Sequence, residues 1–188
     1  MKKELEKLAS KGVYIGTSSW KYPGWKSLIY HENYKTEKSF EASCLKEYSE
    51  VFPTVGIDHT FYAWPNTKTL EQYQSQTSKQ FKFGLKATEK VTVLKYPKFP
   101  RYGKNAGQPN EYFLDADLFI ERFFPPLKPI EKQIGVIMFE FSHFYPGMID
   151  SGSEFVKKLS RFLARIRKNS LLPLAVEIRN AQWTKTPY

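Results

Sequence analysis

Residues Ile134 to Phe141 read Ile-Gly-Val-Ile-Met-Phe-Glu-Phe and form the most informative stretch of the chain. The run is almost continuously apolar and consists largely of Val, Ile and Phe. It lacks the alternation of apolar and polar residues that a strand with one solvated face shows. Such a composition is typical of a strand that is buried on both faces, so the stretch predicts one strand of a parallel sheet.

Similar runs lie before and after this stretch. The five predicted strands are Val13–Ser18, Val55–Phe61, Phe81–Lys86, Ile134–Phe141 and Leu174–Ile178. The predicted helices lie between them: one from Phe40 to Phe52, one capped by Asn66 or Thr67, one around Phe113–Phe124, and one that begins at a capping box of Ser151 and Glu154. Strands that alternate with helices predict an α/β protein with a parallel sheet and right-handed crossovers.

The connections after the strands bear on the type of parallel sheet. No glycine-rich phosphate-binding motif follows a predicted strand, and this favours a TIM-type (β/α) barrel over an open nucleotide-binding sheet. A complete barrel has eight strands and about 250 residues, whereas this chain of 188 residues supplies five predicted strands. We therefore expect residues 1–188 to form a single barrel-like domain that is incomplete and truncated at its C-terminal side.

The composition is that of a globular protein, with 41% hydrophobic residues, 26% charged residues and a net charge of +10. The single cysteine, Cys44, excludes an internal disulfide, and no segment has the character of a signal peptide or a membrane span. We therefore expect a cytoplasmic protein without a membrane partner. Much of the positive charge lies between Lys157 and Lys168 on one predicted helix. A solvated surface is favoured there over a nucleic-acid interface, because no exposed aromatic residues accompany the charge.

Five short blocks of sequence stand at or near the ends of the predicted strands. They read GTSSWKYPGW from Gly16, TVGIDHTFY from Thr54, FKFGLK from Phe81, IGVIMFEF from Ile134 and AVEIRN from Ala175, with Trp183 following. In this order and spacing they resemble the YecE-like family called domain of unknown function 72, and the chain looks like the N-terminal portion of that family. The resemblance implies a TIM-type barrel without an established activity. The family usually has Glu where Gly56 stands and often Asn where Asp58 stands, so its site is not carried over as a whole.

Ionisable residues stand where the predicted strands end. In parallel barrels the catalytic groups lie at the C-terminal ends of the strands. The candidates for catalysis are Asp58, Lys86, Glu140, Glu177 and Arg179. Glu140 would serve as a general acid or base if its surroundings shift its pKa, whereas Glu177 and Arg179 form either an ion pair or part of the catalytic machinery. Lys86 has three interpretations: a Schiff-base nucleophile, an anion ligand, or the counter-ion of Glu140, which is favoured.

Asp58 has two interpretations that are equally favoured: a carboxylate of the site, or an acceptor for backbone amides of the following loop. The candidates for substrate binding are Ser19, Trp20, Tyr22, His59, Phe61, Tyr62 and Trp183. Aromatic walls beside carboxylates suit a sugar or a base. We expect the acidic and basic candidates to share a pocket at the C-terminal mouth, roofed by Trp20, Tyr22 and Phe61. The loop from Lys95 to Lys104 would add further aromatic residues over the same mouth, with Lys98 available for an anion.

Three functions from different classes remain open. The first is an enzyme that uses carboxylate acid–base chemistry on a carbohydrate-like or phosphorylated small molecule. The second is a basic nucleic-acid-binding protein or nuclease, and the third is a non-catalytic remnant or interaction protein. No cofactor is expected; Mg²⁺ held by Asp58, Glu140 and Glu177 is the alternative, since this ion prefers oxygen ligands. Three histidines are too few for a multi-zinc site.

Overall fold

The computed structural model describes residues 1–183 and contains a four-stranded sheet in which every neighbouring pair is parallel. The strands are β1 Thr54–Ile57, β2 Lys82–Lys86, β3 Ile134–Phe141 and β4 Leu174–Ile178, in the order β1-β2-β3-β4. In the register, Lys86 stands opposite Met138 and Glu140 opposite Glu177. The α/β class and the sequential parallel order of these four strands are confirmed.

The predicted first strand, Val13–Ser18, is not a strand of this sheet, and that prediction is wrong. Within this segment of the described chain, Thr17 alone bridges to the sheet, through a hydrogen bond from the Gly56 amide to its carbonyl at 2.8 Å. The Tyr48 hydroxyl accepts from the Thr17 amide at 3.0 Å and donates to the Thr54 carbonyl at 3.0 Å. The Tyr48 hydroxyl thus contacts backbone groups on both sides of the isolated bridge between Thr17 and Val55, and the pairing does not extend into a strand.

The second predicted strand ends earlier than expected. β1 stops at Ile57, and Asp58 begins a one-turn helix instead of continuing to Phe61. The cause is Thr60, whose buried hydroxyl lies 2.9 Å from the Ile57 carbonyl and 2.7 Å from the Lys86 carbonyl. It thereby satisfies acceptors at the ends of both strands and turns the chain away from the sheet.

Helices connect the strands and cover one face of the sheet. The α-helices are α1 Lys2–Ala9, α2 Glu37–Ser43, α3 Leu45–Val51, α4 His59–Tyr62, α5 Thr67–Ser75, α6 Glu89–Thr92, α7 Ala116–Phe123 and α8 Gly152–Arg167. Short 3-10 helices span Pro23–Trp25, Pro100–Asn105, Pro125–Gln133 and Ala181–Trp183. No helix within residues 1–183 combines the length and apolar character needed to cross a bilayer.

The helix starts follow the capping residues in the sequence. Asn66 caps α5 by accepting from the Thr69 amide, and Ser151 caps α8 by accepting from the Glu154 amide. The Glu154 side chain reaches back to the amide of Asp150, one residue before the cap, so the predicted capping box is half formed.

The two faces of the sheet differ in character because side chains alternate along each strand. Phe83, Leu85, Ile137 and Phe139 are fully buried on the face that packs against the helices. The opposite face carries Gly56 and Gly84, which are partners in the register of β1 and β2. Asp58, Lys86, Glu140 and Glu177 follow on this second face at the carboxyl ends of the strands, as their register and parity require.

Candidate functional site

The carboxyl ends of the four strands bring five charged side chains into one chain of ion pairs. Lys86 Nζ lies 3.4 Å from Oδ1 of Asp58 and 3.0 Å from Oε2 of Glu140. Arg179 contacts Oε1 of Glu140 through Nη2, and its Nε lies 3.2 Å from Oε1 of Glu177. All five predicted catalytic residues therefore stand together, and we call them the edge network.

Burial separates the three carboxylates of the edge network into two kinds. The Glu140 side chain is only 11% exposed and contacts a cation with each oxygen. Glu177, at 42% exposure, faces solvent, and among the described residues 1–183 it forms an ion pair with Arg179. Asp58 is similarly exposed; although it stands at the start of α4, its carboxylate accepts no capping hydrogen bond and pairs with Lys86. Glu140 is thus the buried carboxylate at the centre of the edge network, and Glu177 and Asp58 are the solvent-accessible carboxylates at its two ends.

The protonation state of Lys86 decides which of its three interpretations the structure favours. Partial burial alone would lower its pKa, but the hydrogen bond that Lys86 donates to Glu140 and the charge of Asp58 outweigh that effect, so the pKa of Lys86 lies above its ordinary value. The side chain is therefore an ammonium ion at neutral pH. A Schiff-base nucleophile needs the opposite shift, so the geometry favours the counter-ion interpretation.

Polar side chains that sequence reasoning missed fix the backbone around the edge network. Asn180 is fully buried and bonds both backbone groups of Phe144: its Oδ1 accepts from the amide at 2.8 Å, and its Nδ2 donates to the carbonyl at 2.9 Å. Thr60 links the ends of β1 and β2, and Thr88 donates to the Phe61 carbonyl. One feature of the sequence could have indicated this role: Asn180 is a polar, uncharged residue soon after the end of a predicted strand. A polar side chain that is buried at such a position needs hydrogen-bond partners.

A cavity of about 700 Å³ adjoins the edge network at Arg179. Its walls are the segment after α6 and the loop between β3 and α8, which supplies residues 142–145 and Met148. The cationic lining residues are Lys95, Lys98 and Arg179. This volume lies within the range of small-molecule sites, roughly 300–1,000 Å³.

Residues 95–108, which we call the flap, close one side of this cavity. The flap is a closed loop: Lys95 bridges Pro109, and the Tyr96 amide donates to the Gln108 carbonyl at 3.0 Å. The tip is anchored through Arg101, whose guanidinium lies 4.7 Å from the centre of the Tyr62 ring and pairs with the buried Glu89 at 3.0 Å. The flap is therefore attached to α4 and α6.

The predicted binding aromatics lie in separate packing groups. Trp20 is buried, with its ring centre 4.9 Å from that of Tyr73, and its indole nitrogen has no hydrogen-bond partner within residues 1–183. Tyr22 packs on Trp25. The structure gives no ring contact that unites Trp20 and Tyr22 into one roof within the described residues.

The remaining predicted binding residues also divide between groups. Phe61 packs edge-on against Tyr62, and Trp183 stacks on Phe144 at 5.4 Å, beside the cavity. Ser19 is half-buried, and its carbonyl accepts from the Thr17 hydroxyl. Desolvation of the imidazole and the nearby positive charge of Lys21 both lower the pKa of His59 below its ordinary value. His59 is therefore neutral at pH 7.

The predicted magnesium ligands do not share a vacant centre. Lys86 stands between Asp58 and Glu140, and Arg179 stands between Glu140 and Glu177. Across residues 1–183, no group of three or more His, Cys, Asp or Glu side chains is arranged to hold a metal ion. Each carboxylate that would serve as a ligand is instead neutralised by a cation of the chain itself.

Comparisons with known proteins agree on one family. The model described as "Protein of unknown function DUF72" matches residues 14–188. The UPF0759 protein YunF of Bacillus subtilis (strain 168) is 28% identical over 178 residues, which cover 94% of this chain and 54% of that protein. The resemblance expected from the five sequence blocks is confirmed.

Solved structures show a similar fold. A DUF72 family protein of Enterococcus faecalis V583 (EF0366) matches with a TM-score of 0.53 and 21% identity over 78% of this chain and 51% of its own. A DUF72 family protein of Thermotoga maritima MSB8 (TM1631) matches with a TM-score of 0.53 and 24% identity over 92% of this chain and 58% of its own. The chain thus spans about half the length of the relatives that it matches.

Proposed function

This chain belongs to the DUF72 family, and we propose that it is part of an enzyme that uses carboxylate acid–base chemistry on a carbohydrate-like or phosphorylated small molecule. One observation carries the proposal: the edge network and the cavity of about 700 Å³ share Arg179. A ligand in this cavity would meet a cation that already holds two carboxylates. Accessible carboxylates beside a cavity are the arrangement that general acid–base catalysis needs.

The roles follow from exposure and pairing. Glu177 is the candidate general acid or base, because it is accessible and stands beside the residue that lines the cavity. Glu140 is a positioning residue, because its two oxygens hold Lys86 and Arg179 in place. Arg179, which lines the cavity, would stabilise negative charge that develops on the ligand.

We also propose that the sheet is part of a (β/α) barrel within a single domain. The strands are parallel and in sequential order, and helices cover one face, while the other face carries Gly56 and Gly84 and the charged strand ends. A reduced, buried Cys44 suits the cytoplasm. Nucleic acid ranks second as a partner, since two cations of α8 already have carboxylate partners: Lys158 pairs with Glu154, and Arg165 with Asp117.

The test compares the chain with Glu177→Gln, which keeps the size of the side chain and removes its charge. Neutral glycosides, sugar phosphates and nucleoside phosphates are incubated with each protein, and the products are followed by proton and phosphorus NMR. We expect the wild-type chain to convert at least one compound, and Glu177→Gln to do so about 10²-fold more slowly. Glu121→Gln, which changes an exposed carboxylate on α7, is the matched control. Equal rates for wild type and Glu177→Gln, or no conversion of any compound, would contradict the proposal.

A further inference from the structure

We propose that the cavity beside Arg179 binds a phosphorylated compound that carries a flat aromatic ring and has the size of one nucleotide. The proposal deepens the function proposed above by choosing the phosphorylated ligand over the neutral carbohydrate. Three features of the lining support this choice: its charge, its exposed aromatic rings and its volume.

The lining is positively charged. It contains Lys95, Lys98 and Arg179, and no Asp or Glu is among the residues that line it. Lys95 and Lys98 are exposed, and neither forms an ion pair with any residue of the described chain 1–183. The ammonium groups of Lys95 and Lys98, together with the guanidinium of Arg179 that also pairs with Glu140 and Glu177, suit a phosphate, which accepts several charge-assisted hydrogen bonds.

Gly107 helps to place one of these cations. Its φ of +75° belongs to the left-handed region that favours glycine, and a Cβ added there would lie 3.2 Å from Cγ of Lys98. The stem of Lys98 therefore runs close over the backbone on the returning side of the flap. This packing restricts the direction in which the ammonium group extends.

Two large aromatic side chains line the cavity from separate segments. Phe99 belongs to the flap and is 57% exposed, whereas Tyr145 belongs to the loop between β3 and α8 and is 67% exposed. Within residues 1–183, Phe99 makes no contact with another aromatic ring, and the ring of Tyr145 lies edge-on to that of His143. Exposed rings of this kind are suited to stack on a base or another flat ring.

The volume of the cavity favours a small-molecule ligand over single-stranded nucleic acid. About 700 Å³ accommodates one nucleotide-sized molecule. A protein that tracks single-stranded nucleic acid instead needs a groove that spans several nucleotides. A mononucleotide and single-stranded nucleic acid both present a base and a phosphate, so the test must distinguish these two ligands.

The test measures binding directly by isothermal titration calorimetry with the full chain at low salt. The probes are AMP, CMP, adenosine, ribose 5-phosphate, inorganic phosphate and a short single-stranded DNA. We expect AMP or CMP to bind at concentrations below about 10 mM, and the matching ligand without phosphate or without base to bind about tenfold more weakly. The double change Lys95→Ala and Lys98→Ala should weaken binding of the nucleotide about tenfold, and Phe99→Ala or Tyr145→Ala should weaken it about fivefold.

Matched controls lie nearby but outside the cavity lining. Lys104→Ala removes an exposed lysine from the same flap, and Tyr112→Ala removes an exposed ring; neither should change the affinity. The proposal is overturned if neither nucleotide binds, if the cavity variants bind as tightly as the wild type, or if inorganic phosphate binds as tightly as the nucleotides. Tighter binding of the DNA than of any mononucleotide would assign the cavity to nucleic acid instead.

These outcomes are separable from those of the proposed enzyme. Binding that depends on the cavity, without conversion of any compound, would support this inference and contradict the acid–base function. Conversion that depends on Glu177 but is unaffected by the cavity variants would do the opposite.

Discussion

The ammonium group of Lys86 lies 3.0 Å from Oε2 of Glu140, and this ion pair ties the end of β2 to the end of β3. In the register, Lys86 stands opposite Met138, so its side chain extends along the strand direction to reach Glu140 two residues further on. The second oxygen of Glu140 contacts Arg179 beyond β4. One buried carboxylate thus links three consecutive strands of the sheet.

Replacement of Lys86 by Met should destabilise the protein, because it leaves an oxygen of the buried Glu140 without its cation. Half of the pairing survives through Arg179, so we expect the free energy of unfolding to fall by about 1–3 kcal/mol. The matched control is Lys82→Met on the same strand and face, where the ammonium group donates to the carbonyl of the exposed Lys132. That change should cost about 0.5 kcal/mol or less. Urea unfolding of the three proteins decides, and equal losses would show that the ion pair contributes nothing.

The parts of the fold that the sequence predicts well are those in which local pattern and burial agree. Ile134–Phe141 is a strand with the predicted bounds, since it lies inside the sheet with partners on both sides. The start of α8 at Ser151 follows from its capping side chain. Val13–Ser18 is also predicted to be a strand, yet Val13, Tyr14 and Ile15 are exposed, and the Thr17 amide donates to the hydroxyl of Tyr48, 31 residues away. No pattern within the segment contains that information.

The same distinction holds for the candidate site. Strand ends and parity predicted the gathering of Asp58, Lys86, Glu140, Glu177 and Arg179, because the carboxyl ends of parallel strands meet at one edge. The position of the Trp20 ring depends on its contact with Tyr73 of α5, and the course of the flap depends on Arg101. These contacts join distant segments and follow from tertiary packing.

Asn180 should be a larger determinant of stability than its size suggests. Replacement by Ala would leave the amide and the carbonyl of Phe144 without the partners that they have in a buried position. We expect a loss of about 2–3 kcal/mol in the free energy of unfolding. Asn169→Ala, which removes an exposed side chain bonded to the Arg165 carbonyl, should cost about 0.5 kcal/mol or less. Thermal unfolding with the same loss for both variants would contradict this account.

Glu47 should make the protein sensitive to acid. Burial alone would raise its pKa, but hydrogen bonds from the Tyr34 hydroxyl and the amides of His31 and Glu32 outweigh it, so the pKa lies below the ordinary value of 4.5. Because the folded pKa is below the unfolded one, the stabilisation is complete above about pH 4.5 and is lost as the pH falls through the folded value. Glu47→Gln should therefore be less stable than the wild type at pH 7, with a difference that shrinks only as the pH falls below about 4.5. Urea unfolding at several pH values measures it, and a constant difference would refute the assignment.

The anchoring of the flap by Arg101 should depend on the shape of the guanidinium group and not on charge alone. The group lies 4.7 Å from the ring centre of Tyr62 and 4.5 Å from that of Tyr102, while it pairs with the buried Glu89. Burial and the hydrogen bond to Glu89 raise the pKa of Tyr102 to about 12, so its hydroxyl remains protonated and donates to the same carboxylate at 2.8 Å.

Lysine has no planar group that can lie over the tyrosine rings and bond the carboxylate at once, so Arg101→Lys should release the tip of the flap. We expect amide hydrogen exchange in residues 95–108 to accelerate about tenfold, which corresponds to a loss of about 1.4 kcal/mol in the local opening free energy, while exchange in β3 is unchanged. Arg165→Lys provides the control, since that arginine pairs with Asp117 in an exposed position. Unchanged exchange in the flap of Arg101→Lys, or equal acceleration in the control, would show that other contacts hold the flap in place.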